Sequence, residues 1–200
     1  MKIDIKDIKF WMDAIRNSKD RDRILESFWG GQLKSKEMLV KHLEDHYDLN
    51  AKPKIVIHGG WNGVLASMLF NSKFLDIEHI TSVDIDPTVE ETARTINKNQ
   101  EMQGLFTART ADMCTDKYNA DIVINTSCEH VDKVKLQQWF DNIPQGTMYV
   151  MQSNNYFELE EHINCVNSTG ELAESVSAKN YSVEEIVLPK YTRYMISGIK

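Results

Sequence analysis

The chain has 200 residues, 42% of them hydrophobic, and a net charge of -7, which excludes a disordered chain and fits one domain over residues 1–200 that buries roughly 70% of its unfolded surface. Its lysines and arginines are scattered, so a nucleic-acid partner is not expected, because phosphate neutralisation dominates that kind of affinity. Cys114, Cys128 and Cys165 are odd in number and lack CxxC spacing; with no apolar run of about 18 residues and no basic-then-apolar leader, a cytoplasmic protein with free thiols and no membrane partner is expected.

Residues 1–50 read as an N-terminal helical segment. Ile5, Ile8, Trp11, Met12 and Ile15 recur at three and four, as do Leu39, Val40, Leu43 and Tyr47. Between these runs lies Phe28-Trp29-Gly30-Gly31, and Ser35 is placed to cap a helix beginning near Lys36. Trp29 beside two glycines suits either a flap over a flat ligand or an aromatic anchor in the core. His42 and His46 stand at i and i+4, but no third ligand is indicated, so an exposed polar face is expected and no metal.

Residues 51–200 read as a Rossmann-like α/β core. Ile55, Val56 and Ile57 form a continuous β-branched apolar run that reads as a buried strand, and Gly59, Gly60 and Gly63 then turn the chain into the helix from Val64 to Phe70. Glycines permit positive φ and close backbone approach, and the helix they open directs free N–H groups at the turn, which outlines a nucleotide cradle. A second strand ends at Asp84, about 20 residues beyond Gly63, where a carboxylate can accept from both hydroxyls of a ribose. Asp86 and Pro87 open the next helix.

Further strands are expected at 105–108, 121–125 and 147–151, with a helix from Val134 to Ile143. Ser168 and Glu171 suit a capping box, and 181–188 and 191–199 read as two adjacent strands joined tightly at Pro189-Lys190. Alternation of strand and helix implies parallel pairing through right-handed crossovers.

Glu129 and His130 follow a central strand at its carboxyl end, where open α/β sheets bind ligands; either could take a proton from an acceptor. Asn154, Asn155 and Tyr156 follow the fifth strand on the same edge and are candidate substrate contacts, with His162 a further one. Cys128 has no base supplied by the sequence and reads as a small buried thiol.

This order of parts resembles the class I S-adenosylmethionine-dependent methyltransferases from Lys54 to Lys200. The resemblance implies a doubly wound, mostly parallel seven-stranded sheet whose last strand is antiparallel, with S-adenosylmethionine as cofactor. It sets Gly59, Gly60, Trp61 and Gly63 against the methionine part and Asp84 against the ribose, with Asp112 beside the adenine amino group and Met113 along the ring. Cys128-Glu129-His130-Val131 looks like the ending after the fourth strand in ubiquinone-type and other small-molecule methyltransferases, so the resemblance implies in-line methyl transfer to a small-molecule acceptor. Two departures stand out: Trp61 occupies the middle glycine position of a GxGxG turn, and Ile57 the place of an acid two residues before it. The alternative they suggest is a non-catalytic Rossmann-like binding module. No Asp-Pro-Pro-Tyr-like motif follows the fourth strand, so a flipped base has no stacking partner there.

Overall fold

The computed structural model describes residues 3–48 and 51–200, so the expected boundary between residues 50 and 51 lies partly outside the described residues. Three helices come first: α1 (Ile5–Asn17), α2 (Arg21–Ser27) and α3 (Gly30–His46). The core then runs β1 (Lys54–His58), α4 (Val64–Phe70), β2 (His79–Asp84), α5 (Glu90–Ile96), α6 (Lys98–Met102), β3 (Phe106–Thr110) and β4 (Ile122–Asn125). It finishes with α7 (Lys133–Asp141), β5 (Met148–Asn154), α8 (Thr169–Glu174), β6 (Ser182–Val187) and β7 (Thr192–Ile199).

The seven strands lie side by side in the order β3-β2-β1-β4-β5-β7-β6. Strands β1 to β5 pair in parallel, whereas β7 runs antiparallel to both β5 and β6. This is the expected mostly parallel sheet with an antiparallel final strand. Strand order reverses between β1 and β4, and a ligand crevice is expected outside the carboxyl ends of those two strands.

Alternation along β1 shows why both sheet faces are covered. Ile55 and Ile57 join one apolar cluster with α3, α4 and α5, while Val56 joins another with α7, α8 and Tyr149. A continuous apolar run is what a strand buried on both faces requires.

Several local expectations change. Helix α3 starts at Gly30, not near Lys36: the Leu33 N–H already bonds the Trp29 carbonyl at 2.9 Å. A Cβ at Gly31 would lie 3.2 Å from the Tyr191 hydroxyl, so Gly31 lets the first turn of α3 approach the residue just before β7. Ser35 is therefore inside the helix and buried, its hydroxyl donating to Gln152 at 3.0 Å. The α1 stripe is also only half inward: Trp11, Ala14 and Ile15 pack on the core, but Ile5, Ile8 and Met12 face solvent.

His42 is not on an exposed polar face. It is buried, with Nδ1 2.5 Å from Glu184 and Nε2 2.6 Å from the Ser197 hydroxyl, and it ties α3 to β6 and β7. His46 stacks on its ring at 4.1 Å. A histidine saturated at both nitrogens fastens helix to sheet, as a buried polar group must be bonded to offset its desolvation.

Candidate functional site

The turn after β1 is built by backbone geometry. Gly59 and Gly63 have φ of 66° and 74°, and Trp61, at 47°, keeps the left-handed conformation that a glycine would adopt there without cost. The Gly60 N–H bonds the Val83 carbonyl at 3.0 Å, and a Cβ on Gly60 would fall 2.0 Å from the Ser82 hydroxyl. Asp84 completes the turn. Its Oδ2 accepts the Trp61 N–H at 2.8 Å and its Oδ1 the Asp86 N–H at 3.0 Å. One bond to each oxygen leaves lone pairs free for a ligand.

A cleft of about 900 Å³ opens at this carboxyl edge. Gly59, Gly60, Trp61, Asp84, Asp112 and Met113 all border it. Gly63 does not. A Cβ there would meet the Asn97 amide at 2.7 Å and Ala93 at 3.1 Å, so this glycine serves the close packing of α4 on α5. Asp112 accepts the Cys114 N–H at 2.8 Å, and the Asn125 amide contacts the Met113 sulfur at 3.4 Å, fixing the third wall.

Across the cleft the side chains are ionic. Glu129 is 3% exposed and accepts from Arg193 at 2.8 Å and from the Asn154 amide at 2.7 Å, both at Oε1. Arg193 is equally buried. Lys36, from α3, donates to the Gln32 side-chain oxygen at 2.7 Å and borders the same space. Burial, helped by the like charge of Arg193 and opposed by Glu129, brings the Lys36 ammonium down to about 7.

The remaining candidates sort by exposure. Trp29 is 71% exposed at the cleft mouth and is not a core anchor. His130 is exposed with Nδ1 3.1 Å from the Glu161 carbonyl, and His162 is half-buried with Nδ1 2.8 Å from the Tyr156 carbonyl. Tyr156 stacks on Tyr191 at 5.7 Å. Asn154 lies within β5 and serves Glu129, whereas Asn155 is not among the cleft residues: it accepts the Thr192 N–H at 2.7 Å and holds β5 to β7.

No protein-family model matches the chain, and no curated protein does. Solved structures do match. Magnesium protoporphyrin IX methyltransferase (ChlM) from Synechocystis PCC 6803, solved with bound SAM, superposes with a TM-score of 0.69 at 13% identity, covering 100% of both chains. The chain has the fold of the class I S-adenosylmethionine-dependent methyltransferases. PH0226 protein from Pyrococcus horikoshii OT3 gives 0.62 at 17% identity over 84% of this chain and 92% of that one. Small RNA methyltransferase HEN1 gives 0.65 at 15% identity over 86% of this chain, which spans 26% of HEN1. Identity this low establishes the methyltransferase fold and not the acceptor.

Within that methyltransferase fold the two departures acquire structural detail. Ile57 borders the cleft without a charge, while His58 is fully buried beneath it. Trp139 donates its indole N–H to His58 Nδ1 at 3.0 Å, so Nε2 carries the proton and donates to Asp116 at 3.1 Å. Burial lowers the His58 pKa, against the pull of Asp116, and the ring stays a neutral strut. Cys128 is fully buried, and desolvation pushes its thiol far above the ordinary range, so it is no nucleophile.

Lys36 and Arg193 escaped the sequence reading. Arg193 carried one signal: a charge beside the apolar run Tyr194-Met195-Ile196 must find a buried partner or a ligand. Lys36 carried none, because nothing local distinguishes it from the exposed Lys34 and Lys41 of the same helix.

Proposed function

We propose that this protein transfers a methyl group from S-adenosylmethionine to a small-molecule acceptor bearing a proton on its nucleophilic atom. The observation that carries this reading is one cleft with the Asp84-anchored glycine turn on one side and a buried, weakly basic lysine on the other. Its volume suits a small ligand site rather than a macromolecular groove.

The residues fit an adenosyl group. Asp84 offers unused lone pairs to a diol, Val83 and Ile85 give apolar walls beside it, and Asp112 is half-buried where an amino group needs an acceptor. Gly59 and Gly60 bring backbone to the cleft with no side chain between. ChlM and PigF, solved with SAM and SAH, support the choice of cofactor. When bound, S-adenosylmethionine supplies an electrophilic sulfonium methyl whose carbon–sulfur electron pair stays on sulfur as the acceptor's bond forms.

The chain's own part is positioning and one proton. Holding two reactants in line contributes on the order of 7–11 kcal/mol in favourable cases. Glu129 is ion-paired with Arg193 and bonded by Asn154 through Oε1, and His130 borders the cleft from an exposed position, so we assign the base to Lys36. Its neutral amine takes the acceptor's proton, a step that contributes roughly 10²–10⁴-fold. Gln32 accepts from Lys36 and orients it.

Isothermal titration with S-adenosylmethionine and S-adenosylhomocysteine tests the reading. Saturable binding of both is expected. Absence of binding to either at millimolar concentration overturns it.

A further inference from the structure

Glu129, His130 and His162 converge where the turn after β4 meets the loop after β5. One carboxylate oxygen and one nitrogen from each ring lie within 4.8 Å of one another. The two imidazoles touch edge to face, with centroids 4.7 Å apart. Among the described residues Glu129 Oε2 is buried without a hydrogen-bond partner, a costly arrangement for a charged group 3% exposed.

Each neighbour of the cluster is arranged as the support of a ligand would be. The Nδ1 atoms of His130 and His162 face the carbonyls of Glu161 and Tyr156 at 3.1 and 2.8 Å. A carbonyl accepts only, so each ring carries its proton on Nδ1 and keeps a lone pair on Nε2. Metal-binding histidines are oriented by such a bond on the opposite nitrogen. Arg193 and Asn154 both bond Oε1, fixing the carboxylate and leaving Oε2 alone.

The other histidine–carboxylate group differs. His42 there has one nitrogen on Glu184 and the other on Ser197, so it has no lone pair to give. Only the cleft group keeps three donor atoms available among the described residues.

We propose that Glu129, His130 and His162 form a divalent-metal site at the acceptor end of the cleft. Two imidazoles and one carboxylate suit a first-row transition ion such as Zn²⁺, Mn²⁺ or Co²⁺ rather than Mg²⁺ or Ca²⁺, which prefer all-oxygen sets. Metal–ligand bonds of about 2.1 Å set ligand atoms about 3 Å apart when adjacent and about 4.2 Å when opposed, so the cluster closes on an ion by a small side-chain rotation. Three protein ligands leave open positions. Resting on the methyltransferase reading, those positions take the acceptor's oxygen, which makes the acceptor a small hydroxyl compound, bound by its oxygen before it is methylated. The ion would withdraw charge from that oxygen and ease release of its proton.

The test uses the full chain, freed of metal by chelator and titrated with Co²⁺ followed by its visible absorption, then with Zn²⁺ by calorimetry. One ion per chain is expected, with His130→Gln and His162→Gln each weakening affinity roughly tenfold or more. His46→Gln, in the other group, should leave it unchanged. Excess Mg²⁺ should not displace Co²⁺. No binding at millimolar ion, or affinity unaffected by both cleft variants, or loss in His46→Gln, overturns the site; displacement by Mg²⁺ overturns the assignment to a transition ion. S-adenosylhomocysteine titrated in the presence of chelator separates the two readings. Its binding without Co²⁺ binding overturns the metal site and spares the methyltransferase; Co²⁺ binding without it does the reverse for the acceptor role.

Discussion

The Trp61 backbone N–H donates to the Asp84 carboxylate at 2.8 Å, joining the glycine turn to the end of β2. Sequence alone offers Asp84 as a ligand acceptor; the structure gives it a second duty as the post to which the turn is tied.

That double duty sets the outcome of Asp84→Asn. An amide keeps one acceptor oxygen where the carboxylate has two, so either Trp61 or Asp86 loses its bond. Affinity for S-adenosylhomocysteine should fall by about 1.5–3 kcal/mol, the scale for hydrogen bonds to charged groups, and stability by about 1 kcal/mol. Calorimetric titration beside a thermal melt reads both. Unchanged affinity with a lowered melting temperature would leave Asp84 purely structural.

Gly63→Val is expected to act on the fold. A side chain there strains a positive φ and also meets Ala93 and Asn97 of the neighbouring helix, whereas Gly104 has the same backbone strain and open space around it. Urea melts should show a loss of roughly 3 kcal/mol for Gly63→Val and roughly 1 kcal/mol for Gly104→Val. Equal losses would show that backbone strain, not helix packing, governs Gly63.

The buried Glu129–Arg193 pair allows a double-mutant cycle. Removing one partner leaves an uncompensated charge, which costs about 3–5 kcal/mol. Glu129→Gln and Arg193→Met should each be strongly destabilising in denaturant melts run with chelator, while the double variant should lose well under their sum. Additive losses would mean that the two side chains are held independently.

How far the sequence speaks follows from these residues. The strand order and the turn were legible because Ile55–Ile57 and Ile122–Ile124 are local apolar runs and the glycines are local punctuation. The acceptor side was not, because it is made by pairings across long separations: Lys36 approaches Glu129 and Arg193 only after α3 has docked against the sheet. Ser35 misled for a similar reason. Its spacing after two glycines fits a cap, and only the approach of Gln152 reveals it as an interior residue. A buried carboxylate and an exposed histidine side by side, Glu129 and His130, look equivalent as letters, and only the fold shows one paired with Arg193 and the other turned to the Glu161 carbonyl.

Lys36 gives the pH-dependent prediction. Its folded pKa, about 7, lies below the ordinary 10.5, so between those values the unfolded chain binds a proton that the folded chain does not. Stability therefore rises with pH across that window, and below about 7 the folded state carries the full cost of a buried ammonium. Lys36→Met removes that cost and keeps an apolar side chain of similar length. The variant should exceed the parent in stability by roughly 1–3 kcal/mol below pH 7, with the gain shrinking toward alkaline pH. Turnover should move the opposite way. The parent's rate should rise with pH through about 7 and then level, as the amine becomes free to accept a proton, and Lys36→Met should lose roughly 10²-fold or more together with that acidic limb. Thermal melts across pH and a pH–rate profile with the accepted substrate check the two halves separately. A variant that gains stability but keeps full turnover and the limb would show that Lys36 is a buried charge without a catalytic duty.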